Sequence, residues 1–416
     1  MRVRAERLLA DIEALAGFGV TNDGGVDRPT FSPADTEAKA WLAERCRDAG
    51  LSVRGDDIGN LFVGLDRSPD GASAAAAPAV WTGSHLDSVP NGGRLDGVYG
   101  VLAGIECLRV LAEHEVPLAR PVEVVAFADE EGCYQGFLGS KAVAGVISAD
   151  ELAELTGRDG TPLPDALARI GSTPERAAAC AVDPADVAAF VELHIEQGPV
   201  LEEEAVDIGV VTEIVQVVRG TARFVGRADH AGTTPMNLRR DASRGAGAFL
   251  AELARVPEVA GSTDGVATCG RMDLLPGAPN IVPAEARLVL DLRDRAGGVA
   301  RLQSGVEELA DRSARPYGLD VEVAWQAPTA GARLDAALGD LVAKAATELG
   351  CSYRHMVSGA GHDTQVLAPL VPSAMIFVPS QNGRSHSPLE HTDPDRLAAG
   401  ADVLLRVLAE LATRPQ

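Results

Sequence analysis

The chain has 416 residues, with 37 Lys plus Arg against 60 Asp plus Glu and a formal net charge of −23. That length exceeds what one hydrophobic core usually covers, so two domains are expected, and 46% hydrophobic with 23% charged residues argues against a largely disordered chain. Nucleic acid and anionic membrane surfaces repel a polyanion, so neither is an expected partner.

Residues 1–19 place Leu8, Leu9, Ile12, Leu15 and Ala16 at helical spacing among charges. This predicts an amphipathic helix without the uninterrupted apolar segment of a signal peptide. No run of 18 apolar residues occurs, so the expectation is a soluble cytoplasmic protein with no membrane span. Residues 36–50 predict a helix closed by Gly50, 51–65 two short strands around a turn, and Ala72–Ala77 an Ala/Ser-rich surface loop. A strand at about 79–85, a Gly-rich loop to Gly97, a helix over 98–112 and the β-branched strand VEVVAFA (122–128) follow. That order predicts an α/β sheet covered by helices.

Farther along, the pattern changes to strand (220–228), helix (239–256), strands (265–275 and 284–293), helix (298–315) and strand (319–325). This βαββαβ order marks an independent two-layer, ferredoxin-like α+β domain. After the Pro/Ala/Gly-rich segment 327–333, the α/β pattern resumes with helix 334–349, strand 373–379 and a closing helix over 394–412. The expected architecture is a mixed-sheet α/β domain flanked by helices, residues 1–212 and 329–416, with the α+β domain 213–328 inserted into it.

Six scattered cysteines show no CxxC spacing, which argues against a zinc ribbon or disulfide framework. Of eight histidines, five fall in Gly-rich or acidic clusters at predicted strand ends. His85 and Asp87 lie two apart where a strand ends, so they share a face, and the Pro-Asn-Gly-Gly turn before Asp96 can return the chain to His85. Imidazole with a hydrogen-bonded carboxylate suits a zinc-type site; the alternative is a helix-capping Asp96 and a satisfied core histidine. After the buried strand come Asp129, Glu130 and Glu131. A divalent cation offsets such a run, one acid binding it and a neighbour staying free as proton acceptor; a solvated turn of capping acids is the alternative. Taken alone, His194 in VELHIEQGPVLE (191–202) reads as structural and His386 in the polar loop 379–394 as part of an ordinary surface loop. Together, His85, Asp96, Glu131, His194 and His386 supply N/O ligands and no thiolate, enough for two divalent cations sharing a carboxylate. HExxH and GxSxG are missing, and GAGHDT (359–364) breaks GxGxxG at its last position.

In matching order from about residue 8 to 412, GSHLDSVPNGGRLDGVYGVLAG, AFADEEG, VELHIEQGPVLE, RADHAGTTPM, PGAPNIVP, LDLRD, SGAGHD and MIFVPS…GRSHSP resemble the M20 metallopeptidase family. The resemblance is to its amidase/hydantoinase-carbamoylase branch: N-carbamoyl-L-amino acid hydrolases, β-ureidopropionases and allantoate amidohydrolases. It implies a bridging Asp96, with Glu131 and His386 on one metal and His85 and His194 on the other; peptidase branches usually carry a carboxylate at the position of His194. It implies Glu130 as general base, His230 as the carbonyl-polarising residue, Asn280 and Arg293 as holders of a substrate carboxylate, and Gln197 with the Gly359–Gly361 loop as pocket lining. It further implies two divalent ions per subunit (zinc, or manganese, cobalt or nickel) and homodimerisation through the inserted lid domain.

Several residues admit a second reading. Arg293 in LDLRD can clamp a carboxylate through two parallel hydrogen bonds or pair with Asp291 or Asp294. His230, before a Gly-Thr-Thr-Pro turn, projects outward or binds backbone. Gly359 and Gly361 let amides approach an anion or simply form a turn. Asp87 supports His85, and His362 with Asp363 orients the glycine loop. Cys133 reads as a neutral packed thiol rather than a nucleophile, because acidic neighbours raise its pKa. The stretch EEGCYQGFLGS (130–140) is shorter than in most relatives and lacks their Arg-Phe pair, Val215 replaces a frequent Gln, and His391 a frequent aromatic.

The expected activity is metal-dependent hydrolysis of a linear C–N bond in a small carboxylate-bearing ureido compound such as an N-carbamoyl-L-amino acid, N-carbamoyl-β-alanine or allantoate. The alternatives are an aminoacylase or dipeptidase of the same family and a catalytically inactive binding or scaffold protein.

Overall fold

The computed structural model describes residues 1–65 and 77–414, so all of the Ala72–Ala77 stretch but Ala77 lies outside the described residues. The chain forms two compact units, Met1–Thr212 with Arg333–Gln416, and Glu213–Ala332. In chain order the strands are β1 (Ser52–Gly55), β2 (Leu61–Leu65), β3 (Ala79–His85), β4 (Val122–Phe127), β5 (Val187–Ile195), β6 (Ile208–Ile214) and β7 (Gln216–Val225). After them come β8 (Val266–Leu275), β9 (Glu285–Asp294), β10 (Asp320–Trp325), β11 (Ala332–Arg333), β12 (Tyr353–Ser358) and β13 (Ser373–Val378).

Among the described residues, nine strands form one sheet in the order β1-β2-β4-β3-β5-β13-β6-β11, with β12 also on β6. β3 runs parallel to β4 and β5, and β5 to β13, while β1–β2, β2–β4 and β13–β6 pair antiparallel. All of β3 and β13 and all of β5 but Ala188 are buried, as strands covered on both faces must be. The helix Val98–Glu113 is buried from Val98 to Leu111 and packs against helices Ala5–Ala16 and Pro394–Thr413. Leu8, Leu15, Leu102, Leu108, Leu404 and Leu408 share that core.

Parallel neighbours end at the same edge. β3 ends at His85 opposite Phe127, just before Asp129–Glu131, and β5 carries His194 opposite Phe377 of β13, which leads into the 379–393 loop. The carboxyl edge of a parallel sheet is where loops converge and ligands bind. Four chain segments more than 300 residues apart at the extremes are thereby delivered to one rim.

In the inserted unit the order β10-β7-β9-β8 is antiparallel throughout. Ala286, Leu288, Leu290 and Leu292 of β9 are buried while Arg287 and Val289 are exposed, so one face of the sheet is covered and the other solvated. Helices Ala242–Leu253 and Val299–Ala314 cover it, around Phe224, Phe249, Leu302 and Leu309. This is the expected βαββαβ arrangement.

Some elements differ from expectation. The helix expected at 36–50 starts at Pro33, because Ser32 caps it by accepting the Asp35 N–H at 3.2 Å. The helix expected over 239–256 breaks into Ala242–Leu253 and Val256–Val259, the second carrying Pro257 in its first turn. Four helices of five to seven residues between Leu138 and Ala178 had no sequence signal. They are too short to show periodicity, and they build a small core of their own with Phe31, Ile58, Leu152, Leu163 and Leu167.

Candidate metal centre

His85, buried at the end of β3, donates its Nδ1 proton to the Asp87 carbonyl at 3.0 Å. A carbonyl only accepts, so this bond fixes the tautomer and leaves an Nε2 lone pair. The chain then loops to Asp96 and closes through Gly97 at φ +67°. A Cβ at Gly97 would meet the His85 ring at 2.5 Å, so glycine is required there both for φ and for contact. His194 donates Nδ1–H to the Ile195 carbonyl at 2.8 Å and accepts the Gly97 N–H at Nε2.

The Nε2 atoms of both rings face one oxygen of Asp96. Oδ1 lies 3.7 Å from His85 and 3.2 Å from His194. Oδ2 lies 3.1 Å from His386 Nε2, which is also 3.5 Å from Glu131 Oε1. Glu130 Oε2 is 3.7 Å from His85 Nε2. Among the described residues four donor groups have their ligand atoms within 4.8 Å of one another: His85–Asp96–His194 and Asp96–Glu131–His386, which share Asp96, together with His85–Glu130–Glu131 and Glu192–His194–His362.

The donors suit divalent cations. Two imidazoles directed at one carboxylate oxygen are held there by a proton or a divalent cation between them, and the N/O donor set suits the cation. The electrostatics agree. Burial, then Glu131 and the other nearby acids, pushes Glu130 well above the usual carboxylate range, and burial with Asp96 pushes Glu131 up to about 8. Burial opposes the charge on Asp96 too, but hydrogen bonds with His194 and His386 hold it well below its ordinary value. Against burial, Asp96 lifts His194 to about 9. This cluster of acids is short of positive charge.

The surroundings hold the donors in place. Glu390 Oε1 accepts the N–H groups of Leu95 and Asp96 at 2.8 and 3.1 Å, and its other oxygen accepts the Ser385 hydroxyl at 2.7 Å. The Asp87 carboxylate accepts the amides of Glu130 and Glu131 at 3.4 and 3.1 Å. Buried Glu192 accepts the hydroxyls of Ser84 and Thr364 at 2.7 and 2.6 Å. His362 packs edge-on against His194 with ring centroids 4.6 Å apart, its Nε2 3.0 Å from Ser358 Oγ. Sequence reasoning missed Glu192 and Glu390. The one available signal was a carboxylate inside the wholly apolar run around His194; nothing in the 379–394 loop distinguished Glu390.

Other expected residues are placed differently from the sequence reading. Asp129 is not part of the acid group awaiting a cation: at φ +58° its carboxylate turns to the amides of Cys133, Tyr134 and Gln135 at 2.6–2.9 Å. Gln197 donates Nε2–H to Asp96 Oδ2 at 2.8 Å, with its Oε1 buried and unpartnered. Gly361 is small because the Phe137 ring would lie 2.7 Å from a Cβ there, whereas a Cβ at Gly359 would meet nothing within 4 Å. Burial, more than charge, raises the Cys133 thiol.

In the inserted unit, His230 bridges to Ile281, and the Ala231 N–H donates to the Asn280 carbonyl at 2.9 Å. His230 Nδ1 accepts the Gly232 N–H at 3.0 Å, the backbone-binding alternative. Arg293 Nε lies 2.8 Å from Asp291 Oδ1, the ion-pair alternative. Asn280 and Arg293 are not brought together. With eight steps of about 3.4 Å from Glu285, Arg293 lies about 27 Å along β9, and Asn280 lies beyond the other end.

The profile of peptidase family M20/M25/M40 matches residues 81–410. The N-carbamoyl-L-amino-acid amidohydrolase of Paenarthrobacter aurescens is 40% identical over 423 residues, covering 99% of this chain and 98% of that relative. The allantoate amidohydrolase of Escherichia coli (strain K12) is 35% identical over 408 residues, covering 96% of each. The crystal structure of an amidase of the hydantoinase/carbamoylase family from Burkholderia multivorans superposes with a TM-score of 0.92 at 34% identity, covering 100% of this chain and 99% of that one.

Proposed function

The chain belongs to peptidase family M20/M25/M40, and from that premise we propose that it hydrolyses the linear C–N bond of a carbamoyl or ureido group in a small carboxylate-bearing substrate, such as an N-carbamoyl-L-amino acid. The observation that carries this reading is the placement of Asp96 between two His/carboxylate donor groups, with Glu130 beside them.

The family is metal-dependent. In this reading His85, Asp96 and His194 hold one divalent ion and Asp96, Glu131 and His386 a second, zinc or else manganese, cobalt or nickel. Such ions, when bound, supply charge that polarises a carbonyl and eases deprotonation of water. Glu130 is the general base: its carboxylate takes a proton from the attacking water and returns it to the leaving nitrogen. Its buried setting beside other acids raises its proton affinity. Gln197 holds Asp96 in orientation through its bond to Oδ2. Gly359 and Gly361 line the substrate pocket. For an N-carbamoyl amino acid the products are the amino acid, ammonia and carbon dioxide.

His230 polarises the scissile carbonyl, and Asn280 with Arg293 holds the substrate carboxylate. Because these residues sit at opposite ends of one sheet, a complete clamp takes them from two copies, which supports a homodimer. The edge strand β8, with Val266, Met272 and Leu275 exposed, is the surface for that pairing. No helix among the described residues is long and apolar enough to cross a membrane, and we place the protein in the cytoplasm.

The test is a panel of carbamoyl-, acetyl- and peptidyl-amino acids on metal-reconstituted protein. Turnover of the carbamoyl compounds with ammonia release is expected. Preferred cleavage of acetyl or peptidyl substrates would replace the reading with an acylase or dipeptidase, and no turnover with full metal content would leave a binding protein.

A further inference from the structure

We propose that Asp363 is a positioning residue for Glu130, acting through the Ser140 hydroxyl and the first turn of the helix Leu138–Val143. The inference rests on the general-base role of Glu130 proposed above and deepens it.

Glu130 is held at both of its peptide groups. Its N–H donates to Asp87 Oδ1 at 3.4 Å, and its carbonyl accepts the Phe137 N–H at 3.1 Å. The Leu138 and Gly139 amides continue that pairing on the Asp129 and Ala128 carbonyls at 3.3 and 2.7 Å. The entry to the helix therefore carries the backbone of the base. The helix cannot fix itself: it has six residues, no side-chain cap and a left-handed Phe137 (φ +64°) ahead of it. So short a helix is unstable without tertiary support.

Support comes from two side chains. Asn60 accepts the Ala128 N–H at 2.8 Å and donates to the Gly139 carbonyl at 3.2 Å. Fully buried Asp363 places Oδ1 2.6 Å from Ser140 Oγ, which is also 3.2 Å from the Phe137 carbonyl. The Ser140 hydroxyl has a single proton for these two oxygens. A neutral Asp363 that donates its carboxyl O–H to Ser140 frees that proton for the Phe137 carbonyl, so both bonds form. Burial, then the charge of Glu192, pushes Asp363 well above the usual carboxylate range, which favours the neutral form. Its Oδ2 is buried without a hydrogen-bond partner among the described residues, which costs a neutral carboxyl less than an anion.

The residues on either side of Asp363 touch the other half of the centre. His362 packs on the His194 ring, and Thr364 donates its N–H and hydroxyl to Glu192 of β5. Asp363 itself bonds a residue 223 positions earlier in the chain rather than the glycine loop beside it.

The test compares Asp363→Ala, Asp363→Asn, Ser140→Ala and the double alanine variant, each metal-reconstituted, on an N-carbamoyl-L-amino acid. Asp363→Ala should lower kcat by on the order of 10²-fold, the loss a displacement of about 1 Å produces, with KM and metal content unchanged. Asp363→Asn, whose amide donates to Ser140 as the neutral carboxyl does, should keep kcat near wild type. The double variant should be no slower than the slower single one, because the two side chains act in one chain of bonds. Equal losses for Asn and Ala, a loss in KM alone, or additive losses would overturn the assignment while leaving the hydrolase reading intact. No hydrolysis of any carbamoyl compound by the wild type would overturn both. Independently of turnover, hydrogen exchange at the Phe137, Leu138 and Gly139 amides, read by mass spectrometry, should quicken in Asp363→Ala and not in Asp363→Asn. Faster exchange confined to residues 358–362 would make Asp363 a support of its own loop and refute the role.

Discussion

In the large unit, His85, Asp96 and His194 are almost fully buried, and each is held by hydrogen bonds outside the donor cluster. In the inserted unit, His230 and Asn280 are exposed, and Arg293 sits at the far end of the sheet from them. The first region draws its donor atoms from one unit and buries three of them. The second presents separate groups, His230 and Asn280 at one end of the sheet and Arg293 at the other.

The comparison is broken most severely at Asp96. Asp96→Asn should remove the shared ligand from both donor groups, abolishing activity and bringing metal content, measured by elemental analysis, close to zero. Retention of full metal content would refute the shared role. Glu130→Gln should lower kcat by about 10²–10⁴-fold while metal content and Tm stay near wild type, because it removes a proton acceptor and no ligand. Coordinated loss of metal would instead make Glu130 a ligand.

Glu390→Ala leaves the Leu95 and Asp96 amides unpaired and should weaken metal affinity by about 10–100-fold, measured by competition with a chelator. The inserted unit is sharpened by mixing two inactive variants, His230→Ala and Arg293→Ala. If the clamp uses two copies, re-equilibrated 1:1 dimers should regain about a quarter of wild-type activity, since half are hybrids with one intact site. No recovery would place both groups in one copy. The smallest effect on the centre is expected from Phe249→Ala. It should cost about 3–5 kcal/mol of stability, read by denaturation, yet leave metal affinity unchanged because Phe249 belongs to a separate core.

Much of the fold was legible because its elements advertise themselves locally. The β-branched run at 122–128 and the alternation in 284–293 specify strands by period and propensity, and both form. The candidate donors were legible as residue types at strand ends, and the structure gathers the atoms of His85, Asp96, Glu131, His194 and His386. Asp129 looked equivalent to its two neighbours, yet a left-handed backbone turns it to three amides. Glu390 lay in an unremarkable polar loop and closes on Asp96 from 294 residues away.

The order of residues alone determined the acidic balance, the helix and strand types, the βαββαβ block and the supply of imidazoles and carboxylates, since each depends on near neighbours along the chain. Tertiary structure decided which carboxylate faces the cluster, which ring nitrogen carries the proton, how far Asn280 lies from Arg293, and that Asp363 reaches Ser140. These depend on strand order and on hydrogen bonds between distant segments. A one-dimensional pattern carries neither.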